Sequence, residues 1–210
     1  MTQFPTLALI ATFSALSLAA CSRGNEAPVD DTTISEGLAG EGSLAQNATG
    51  NDATTGDQVS TAQRFGLSGA DGTALGSVTV SEGTNGATLR IQASGLNVGK
   101  HGVHLHEKGL CGGPKFESAG AHWNPAAKKH GRDNPDGAHL GDLANLEVGG
   151  NGGATVSFEV EGVKMTNGAN LLADADGTAL VVHAKPDDYK TDPSGASGDR
   201  IACAVIAPPK

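Results

Sequence analysis

Aromatic residues are scarce in this chain of 210 residues and make up 3% of the sequence, whereas glycine occupies 31 positions. A core with so few rings must be built from valine, isoleucine, leucine and alanine, and the many glycines indicate frequent turns. This composition argues against a helical bundle and favours an all-β domain. The length allows one ordinary domain and an appendage.

The chain also lacks a run of basic residues and a basic patch interleaved with aromatics, which argues against nucleic-acid binding. Its net charge of −9 is unevenly spread. Residues 22–61 hold seven acidic residues and one arginine, a net charge of −6, whereas residues 62–210 hold sixteen acidic and thirteen basic residues, a net charge of −3. Most of the acidity therefore belongs to an N-terminal segment.

The first apolar run, residues 7–20, has fourteen residues and is too short to span a bilayer comfortably. It fits the apolar centre of a secretory signal, and LAAC at 18–21 resembles the cleavage box of a bacterial lipoprotein signal, in which Cys21 becomes the lipidated first residue. Residues 1–6 depart from that pattern because they contain no Lys or Arg. An ordinary secretory signal cleaved near Ala20, with an incidental cysteine, is the alternative.

Residues 22–60 are mostly small and acidic or polar, with no aromatic residue. Such a segment cannot bury enough apolar surface to offset the entropy of ordering, so it is predicted to be a flexible tether. The predicted organisation is a signal at 1–20, an acidic tether at 21–61 and a folded domain at 62–210. If Cys21 is lipidated, Cys111 and Cys203 form one pair, as expected in an oxidising compartment.

The folded domain is predicted to consist of short strands separated by turn residues. The predicted strands span residues 62–67, 73–80, 87–96, 101–107, 141–148, 154–160, 179–184 and 200–206. Eight strands at this spacing predict a sandwich or a closed barrel. Two long segments, residues 109–140 and 185–199, interrupt the pattern, and long loops in compact domains are usually functional.

Six of the seven histidines and one aspartate form a candidate metal cluster: His104, His106, His122, His130, His139, His183 and Asp142. His104 and His106 lie two residues apart in an apolar run, so they share one face of a strand. Imidazole suits copper and zinc, and a carboxylate near His139 adds an oxygen donor that zinc accepts. Seven donors exceed what one four-coordinate ion needs, so the pattern predicts two neighbouring ions.

Six sequence blocks, in order along the chain, resemble those of bacterial copper,zinc superoxide dismutases. They are GVHLHE at 102–107, SAGAHWNP at 118–125, KHG at 129–131, HLGDL at 139–143, LVVHA at 180–184 and GDRIACAVI at 198–206. The resemblance covers residues 62–210. It implies an eight-stranded antiparallel Greek-key β-barrel in which residues 109–140 bind metal and residues 185–199 shape the channel to the active site.

The resemblance also implies ligands for each ion. The implied copper ligands are His104, His106, His122 and His183, and the implied zinc ligands are His122, His130, His139 and Asp142. His122 would bridge both ions as an imidazolate, since two cations can hold one ring deprotonated. The implied reaction is dismutation of superoxide to oxygen and hydrogen peroxide by alternating reduction and reoxidation of copper. His122 would pass a proton to the peroxide, while zinc would fix the bridge and order the loop.

Further roles follow from the same resemblance. Arg200 is implied to hold the superoxide anion beside copper, the alternative being a solvated charge at a strand end. Asp187 is implied to hydrogen-bond a copper ligand and a zinc ligand together. Cys111 and Cys203 match the family's disulfide, which closes a loop of about 90 residues and is worth roughly 4 to 5 kcal/mol in the chain-entropy model.

Three positively ionisable side chains have less defined roles. Lys115 and Lys190 either raise the local potential for superoxide or are ordinary loop lysines. His101 falls outside every block and is predicted not to be a ligand.

Three functions compete at this point. A copper-free relative or metallochaperone would lack a ligand or Arg200, and neither is missing, while a structural envelope lipoprotein would leave the histidine spacing unexplained. The sequence therefore predicts an oxidoreductase that acts on superoxide with copper and zinc, in the periplasm or cell envelope. Membrane contact is predicted only through a lipid on Cys21, and a monomer and a homodimer both remain open.

Overall fold

The computed structural model describes residues 62–210. The predicted signal, Cys21 and the predicted tether lie outside the described residues. The strands are β1 (Gln63–Gly69), β2 (Ala74–Glu82), β3 (Gly86–Ala93), β4 (Gly99–His101), β5 (Val103–His106), β6 (Leu146–Val148), β7 (Ala154–Glu161), β8 (Thr178–His183) and β9 (Arg200–Ala207). One short 3-10 helix spans Glu117–Ala119. Within residues 62–210 no helix is long and apolar enough to cross a membrane.

Seven strands form one antiparallel sheet in the order β5-β8-β9-β1-β2-β3-β7, and β4 pairs with β6 in a second. The order in space departs from the order in the chain, since β1 pairs with β9 and β3 with β7. Such pairings need long connections across the ends of the barrel. The prediction of an all-β, antiparallel barrel is confirmed.

Alternation along the strands directs one face of the sheet into the core. In β3, Leu89 and Ile91 are fully buried, whereas Arg90 is exposed. In β5, Val103 and Leu105 belong to the main core cluster. Burying side chains of this size contributes about 1.5 to 3 kcal/mol each, which compensates for the scarcity of aromatics.

Two predicted strands differ from those observed. The predicted strand at 101–107 is divided into β4 and β5 at Gly102, whose N–H donates to Lys185 O and whose carbonyl accepts from His183 N, each at 2.8 Å. The predicted strand at 141–148 is reduced to β6. Its first residues instead attach to β5, with Asp142 bridged to His104.

The 109–140 loop covers the outer face of β8 and β9. Every residue of β8 is buried, because alternate residues face the main core and a second apolar cluster. That second cluster consists of Phe116, Ala119, Ala179, Val181 and Cys203. The loop therefore packs on the outside of the barrel, on the side to which the histidines of β5 point.

Candidate metal centre

Three of the candidate ligands are carried by strands, and we call them the strand group: His104 and His106 in β5 and His183 at the end of β8. The two histidines of β5 lie on the face opposite to Val103 and Leu105. Strand β8 pairs with β5, and the ring centroids of His104 and His183 are 4.8 Å apart.

His122 joins the strand group from the 109–140 loop. A bridge between the backbones of His122 and His106 fixes the loop against β5, and the His122 ring stacks on His104 with centroids 3.9 Å apart. His122 and the strand group are all buried, and one nitrogen of each ring lies within 4.8 Å of the corresponding nitrogen of the others.

Each of these four rings uses one nitrogen to donate a hydrogen bond to the protein. His106 Nδ1 donates to Gly120 O at 3.0 Å, and His183 Nδ1 donates to Gly198 O at 3.2 Å. His104 Nε2 and His122 Nδ1 donate to carboxylates described below. The second nitrogens, namely His104 Nδ1, His106 Nε2, His122 Nε2 and His183 Nε2, are buried and have no hydrogen-bond partner among residues 62–210.

Burial makes these rings neutral. It lowers the pKa of His106 to about 2, with the neighbouring His122 and Arg200 adding to the effect. Burial likewise lowers the pKa of His183 to about 3, of His122 to about 4 despite the hydrogen bond to Asp142, and of His104. Since the hydrogen-bonded nitrogen of a neutral ring carries the proton, the partnerless nitrogen presents a lone pair. Buried polar atoms normally have a partner, and four converging lone pairs fit a copper ion.

The other three candidates form what we call the loop group: His130, His139 and Asp142. The Nδ1 atoms of His122, His130 and His139 lie 3.0, 3.1 and 3.1 Å from one oxygen, Asp142 Oδ1. The other oxygen, Asp142 Oδ2, accepts the backbone N–H groups of Gly131 at 2.9 Å and His139 at 3.0 Å. Three imidazoles and a carboxylate around one point fit zinc.

Mutual spacing alone gives a slightly different second set. The donors that all lie within 4.8 Å of one another are those of His104, His122, His130 and Asp142, with His104 in place of His139. His139 also fits a set around Asp142, because its Nδ1 faces Asp142 Oδ1 as the other two rings do. His104 instead donates one nitrogen to Asp187 and turns the other toward the strand group.

The loop group is charged where the strand group is neutral. Burial opposes protonation of His130, but the carboxylates of Asp142 and Asp187 outweigh it and raise the pKa of His130 to about 9. Burial would also raise the pKa of Asp142, yet the contacts of His122 and His130 and the Gly131 N–H hold that pKa well below its usual range. His130 and Asp142 of the loop group therefore form a buried ion pair.

Asp187 lies between the two groups. Its Oδ2 accepts from His104 Nε2 at 2.8 Å and its Oδ1 accepts from His130 Nε2 at 3.0 Å. Burial works against its ionisation, but these two histidines hold the pKa of Asp187 well below its usual range. Gly195 makes the arrangement possible, because a Cβ there would lie 1.8 Å from Asp187 Oδ1 and the residue has a φ of +63°.

Arg200 lies at the start of β9 and is held by the 109–140 loop. Its Nη1 donates to Phe116 O at 2.7 Å and its Nη2 donates to Gly120 O at 2.6 Å. It lines an open cavity of about 440 Å³ with Lys115, Glu117 and the neighbouring backbone. Lys190 is exposed and is not among the residues that line this cavity.

Cys111 and Cys203 form a disulfide, and their Cα atoms are 5.8 Å apart. The predicted pairing is confirmed. The bond fastens the start of the 109–140 loop to β9, three residues after Arg200, so it fixes the loop whose carbonyls hold that arginine.

Three residues near the site were not assigned a role from the sequence. His101 is no free donor, because its two ring nitrogens each lie 2.8 Å from a carbonyl oxygen, of His183 and of Asn97. Asn145 and Tyr189 contact Asp187 or each other. Nothing in their sequence spacing signals these contacts, which depend on how the loops fold back.

Comparison with known proteins agrees with this geometry. The family model for copper/zinc superoxide dismutase (SODC) matches residues 74–206. The superoxide dismutase [Cu-Zn] of Caulobacter vibrioides is 47% identical over 139 residues, which cover 65% of this chain and 80% of that protein. The superoxide dismutase [Cu-Zn] 2 of Aquifex aeolicus is 41% identical over 138 residues, covering 65% and 81%.

Solved structures give the same result for the fold. The crystal structure of a SOD-like protein from Bacillus subtilis matches with a TM-score of 0.66 at 39% identity, covering 68% of this chain and 97% of that one. The family model matches more than half of the chain, and the barrel has the same fold. The two histidine groups fit copper and zinc. The chain belongs to the copper/zinc superoxide dismutase family and is an oxidoreductase that acts on superoxide with copper and zinc as cofactors.

Proposed function

We propose that the strand group and His122 hold copper, that His122 and the loop group hold zinc, and that His122 is the ligand common to both. The observation that supports this assignment most strongly is the set of four buried lone pairs, on His104 Nδ1, His106 Nε2, His122 Nε2 and His183 Nε2. A copper ion bound there supplies the redox chemistry, in which one superoxide is oxidised to oxygen and the next is reduced to peroxide.

His122 has the geometry for the shared role. Its Nε2 points to the strand group and its Nδ1 points to Asp142, so the two nitrogens of one ring face the two sites. We propose that His122 Nε2, when it does not bind copper, would take a proton from solvent and deliver it to the peroxide, whose second proton would come from solvent.

Arg200 is proposed to bind the superoxide anion. Two of its five N–H donors are held by the carbonyls of Phe116 and Gly120, so the planar guanidinium is fixed before the anion arrives. Its charge lies at an open cavity that Arg200 lines together with Lys115 and Glu117. A preoriented cation of this kind attracts a small anion and holds it without rearrangement.

Metal content and activity measured together test this assignment. After loading with both metals, elemental analysis of the protein should give one copper and one zinc per chain, together with superoxide-dependent activity. A single metal equivalent would contradict the shared-ligand arrangement. Both metals without activity would favour the alternative of a metal-binding protein that is not a dismutase.

We further propose that the enzyme acts outside the cytoplasm, at a membrane. The disulfide suits an oxidising compartment, and the sequence up to Cys21 resembles a lipoprotein signal. The predicted tether of about forty residues would have a root-mean-square reach of about 30 to 40 Å, enough to lift the domain clear of the lipid. Two or more acyl chains anchor stably, whereas one chain binds weakly.

Replacement of Cys21 tests the anchor. Cys21→Ser should release an active, soluble enzyme, since the substitution leaves Cys111 and Cys203 untouched. Fractionation and mass spectrometry of the native protein provide the comparison. A native protein that is already soluble and carries no lipid at its N-terminus would refute the anchor and support an ordinary secretory signal.

A further inference from the structure

Tyr189, the single tyrosine of the chain, contacts three separate parts of the site. Its backbone N–H donates to Asp187 Oδ1 at 2.7 Å, and its carbonyl accepts from Asp133 N at 3.0 Å. Its hydroxyl accepts from Asn145 N at 2.9 Å, and Arg132 Cζ lies 3.9 Å from the centre of its ring. One residue thus joins the 185–199 loop, the 109–140 loop and the segment before β6.

The backbone at Tyr189 is strained, which shows that its surroundings determine its conformation. Its φ is +61°, in the left-handed region that residues with a side chain rarely adopt. The carbonyl that results from this conformation lies against Gly131, where a Cβ would be only 2.1 Å from Tyr189 O. Gly131 directly follows His130 of the loop group, so the strained turn is packed against the neighbour of a candidate zinc ligand.

Asn145 completes a closed set of contacts around Asp187. The backbone N–H of Asp187 donates to Asn145 Oδ1 at 2.7 Å, and Asn145 Nδ2 donates back to Asp187 O at 3.0 Å. The Tyr189 hydroxyl then holds the backbone of Asn145. The backbone of Tyr189 therefore holds the Asp187 carboxylate. Asn145, which the Tyr189 hydroxyl fixes, holds the Asp187 backbone.

We propose that Tyr189 is a positioning residue that sets the orientation of the Asp187 carboxylate and so the affinity of the loop group for zinc. This inference rests on the assignment of zinc to His122 and the loop group. Tyr189 acts through Asp187, which fixes the rings of His104 and His130 by hydrogen bonds. Substitution of a residue that hydrogen-bonds a metal ligand lowers metal affinity by about 10- to 100-fold. Tyr189 does not contact a ligand itself but contacts Asp187, which does.

The test compares two deletions of a single hydroxyl in the metal-loaded, disulfide-bonded protein. Tyr189→Phe removes the acceptor of the Asn145 N–H. Thr178→Val is the matched control, because the Thr178 hydroxyl donates to Leu172 O at 2.8 Å at the other end of β8 and contacts no candidate ligand. Zinc release to a chelator and the visible spectrum of protein with cobalt(II) in the zinc site are measured, as is unfolding of the metal-free protein in urea.

The Tyr189→Phe protein should release zinc about tenfold faster than the native protein, the low end of the range for outer partners, and its cobalt spectrum should shift. The Thr178→Val protein should keep the native release rate and spectrum, even if it unfolds at lower urea. Equal zinc release and equal spectra in both variants would overturn the proposal and reduce the hydroxyl to a structural contact.

Two further outcomes keep the test decisive. If Tyr189→Phe does not fold, Arg132→Gln replaces it, because Arg132 is exposed and its removal frees the phenol ring while keeping the hydroxyl. Unchanged zinc release in Arg132→Gln would then overturn the proposal, whereas two- to threefold faster release would support it. Failure of the native protein to bind zinc would instead overturn the proposed function on which the inference rests.

Discussion

The strand group and the loop group lie on two sides of His122, and they are built in different ways. The strand group stands on β5 and β8, where the pairing of the strands sets the positions of the rings. The loop group gathers around Asp142, whose two oxygens contact ring nitrogens on one side and backbone N–H groups on the other. One half of the site is therefore placed by the sheet and the other half by a carboxylate.

The electrostatic state follows the same division. The strand group is neutral because burial lowers the pKa of its histidines, with no carboxylate facing their free nitrogens among the described contacts. The loop group is an ion pair, because Asp142 and Asp187 raise the pKa of His130. A redox-active ion gains from neutral nitrogen donors, while a structural divalent ion gains from a carboxylate that offsets its charge.

Removing one ligand from each side should separate the two metals, and this is the largest effect we expect. His183→Ala should lose copper and lower activity by more than about 100-fold, since loss of a ligand exceeds the cost of losing an outer partner. Asp142→Ala should lose zinc and keep copper with part of the activity. Elemental analysis and a superoxide assay check both, and loss of the same metal in both variants would contradict the division.

Asp187 belongs to both sides, so its substitution should weaken both. The amide of Asp187→Asn has one oxygen where the carboxylate has two, so it can accept from His104 or His130 but not from both. We expect the affinity for each metal to fall by about 10- to 100-fold. Asp188→Asn, which removes the same charge from the exposed neighbouring residue, is the control. Weakening of a single metal would assign Asp187 to one group.

Arg200 tests whether substrate guidance is separate from metal binding. Arg200→Ala should lower activity about tenfold and reduce its dependence on ionic strength, because it removes a cation at the cavity but no ligand. The copper content should stay native. Arg90→Ala, at an exposed position of β3, removes the same charge from a strand that is not next to β5 or β8 in the sheet. It should change neither the activity nor its dependence on ionic strength. Full activity with unchanged salt dependence would exclude the assigned role.

The metal-free protein should show the division as a pH dependence of stability. The pKa of His130 is raised to about 9 in the folded protein, whereas histidine in the unfolded chain has a pKa near 6.5. The contribution of His130 to the free energy of unfolding is therefore fully present below pH 6.5 and is lost as pH rises from 6.5 through 9. The depressed pKa values of His106 and His183 act in the opposite sense, so stability also falls as pH drops below 6.5 toward 3.

Urea unfolding across the pH range checks this expectation. The urea concentration at the unfolding midpoint should be highest near pH 6.5. His130→Gln should flatten the alkaline side and leave the acid side in place. A midpoint that rises steadily from pH 6.5 to 9 in the native protein would show that His130 is not held protonated by Asp142 and Asp187.

Much of the fold and of the candidate site could be predicted because the signals are local. His104 and His106 share a face on account of the two-residue period of a strand, and the order of the sequence blocks supplied the rest through resemblance. The strand predicted at 141–148 was largely wrong, because Gly141 and Leu143 hydrogen-bond to β5 and bring Asp142 beside His104. Such a long-range attachment leaves no local pattern.

The sequence by itself determined the all-β class and placed His104 and His106 on one face of a strand, since residue type and periodicity are properties of neighbouring residues. Only the tertiary structure decided which nitrogen of each ring is free, because the partner of the other nitrogen comes from far along the chain. His104 and Asp187, for example, are 83 residues apart. Tyr189 had no signal in the sequence for the same reason, since its contacts to Asn145 and Arg132 exist only after both loops have closed over the barrel.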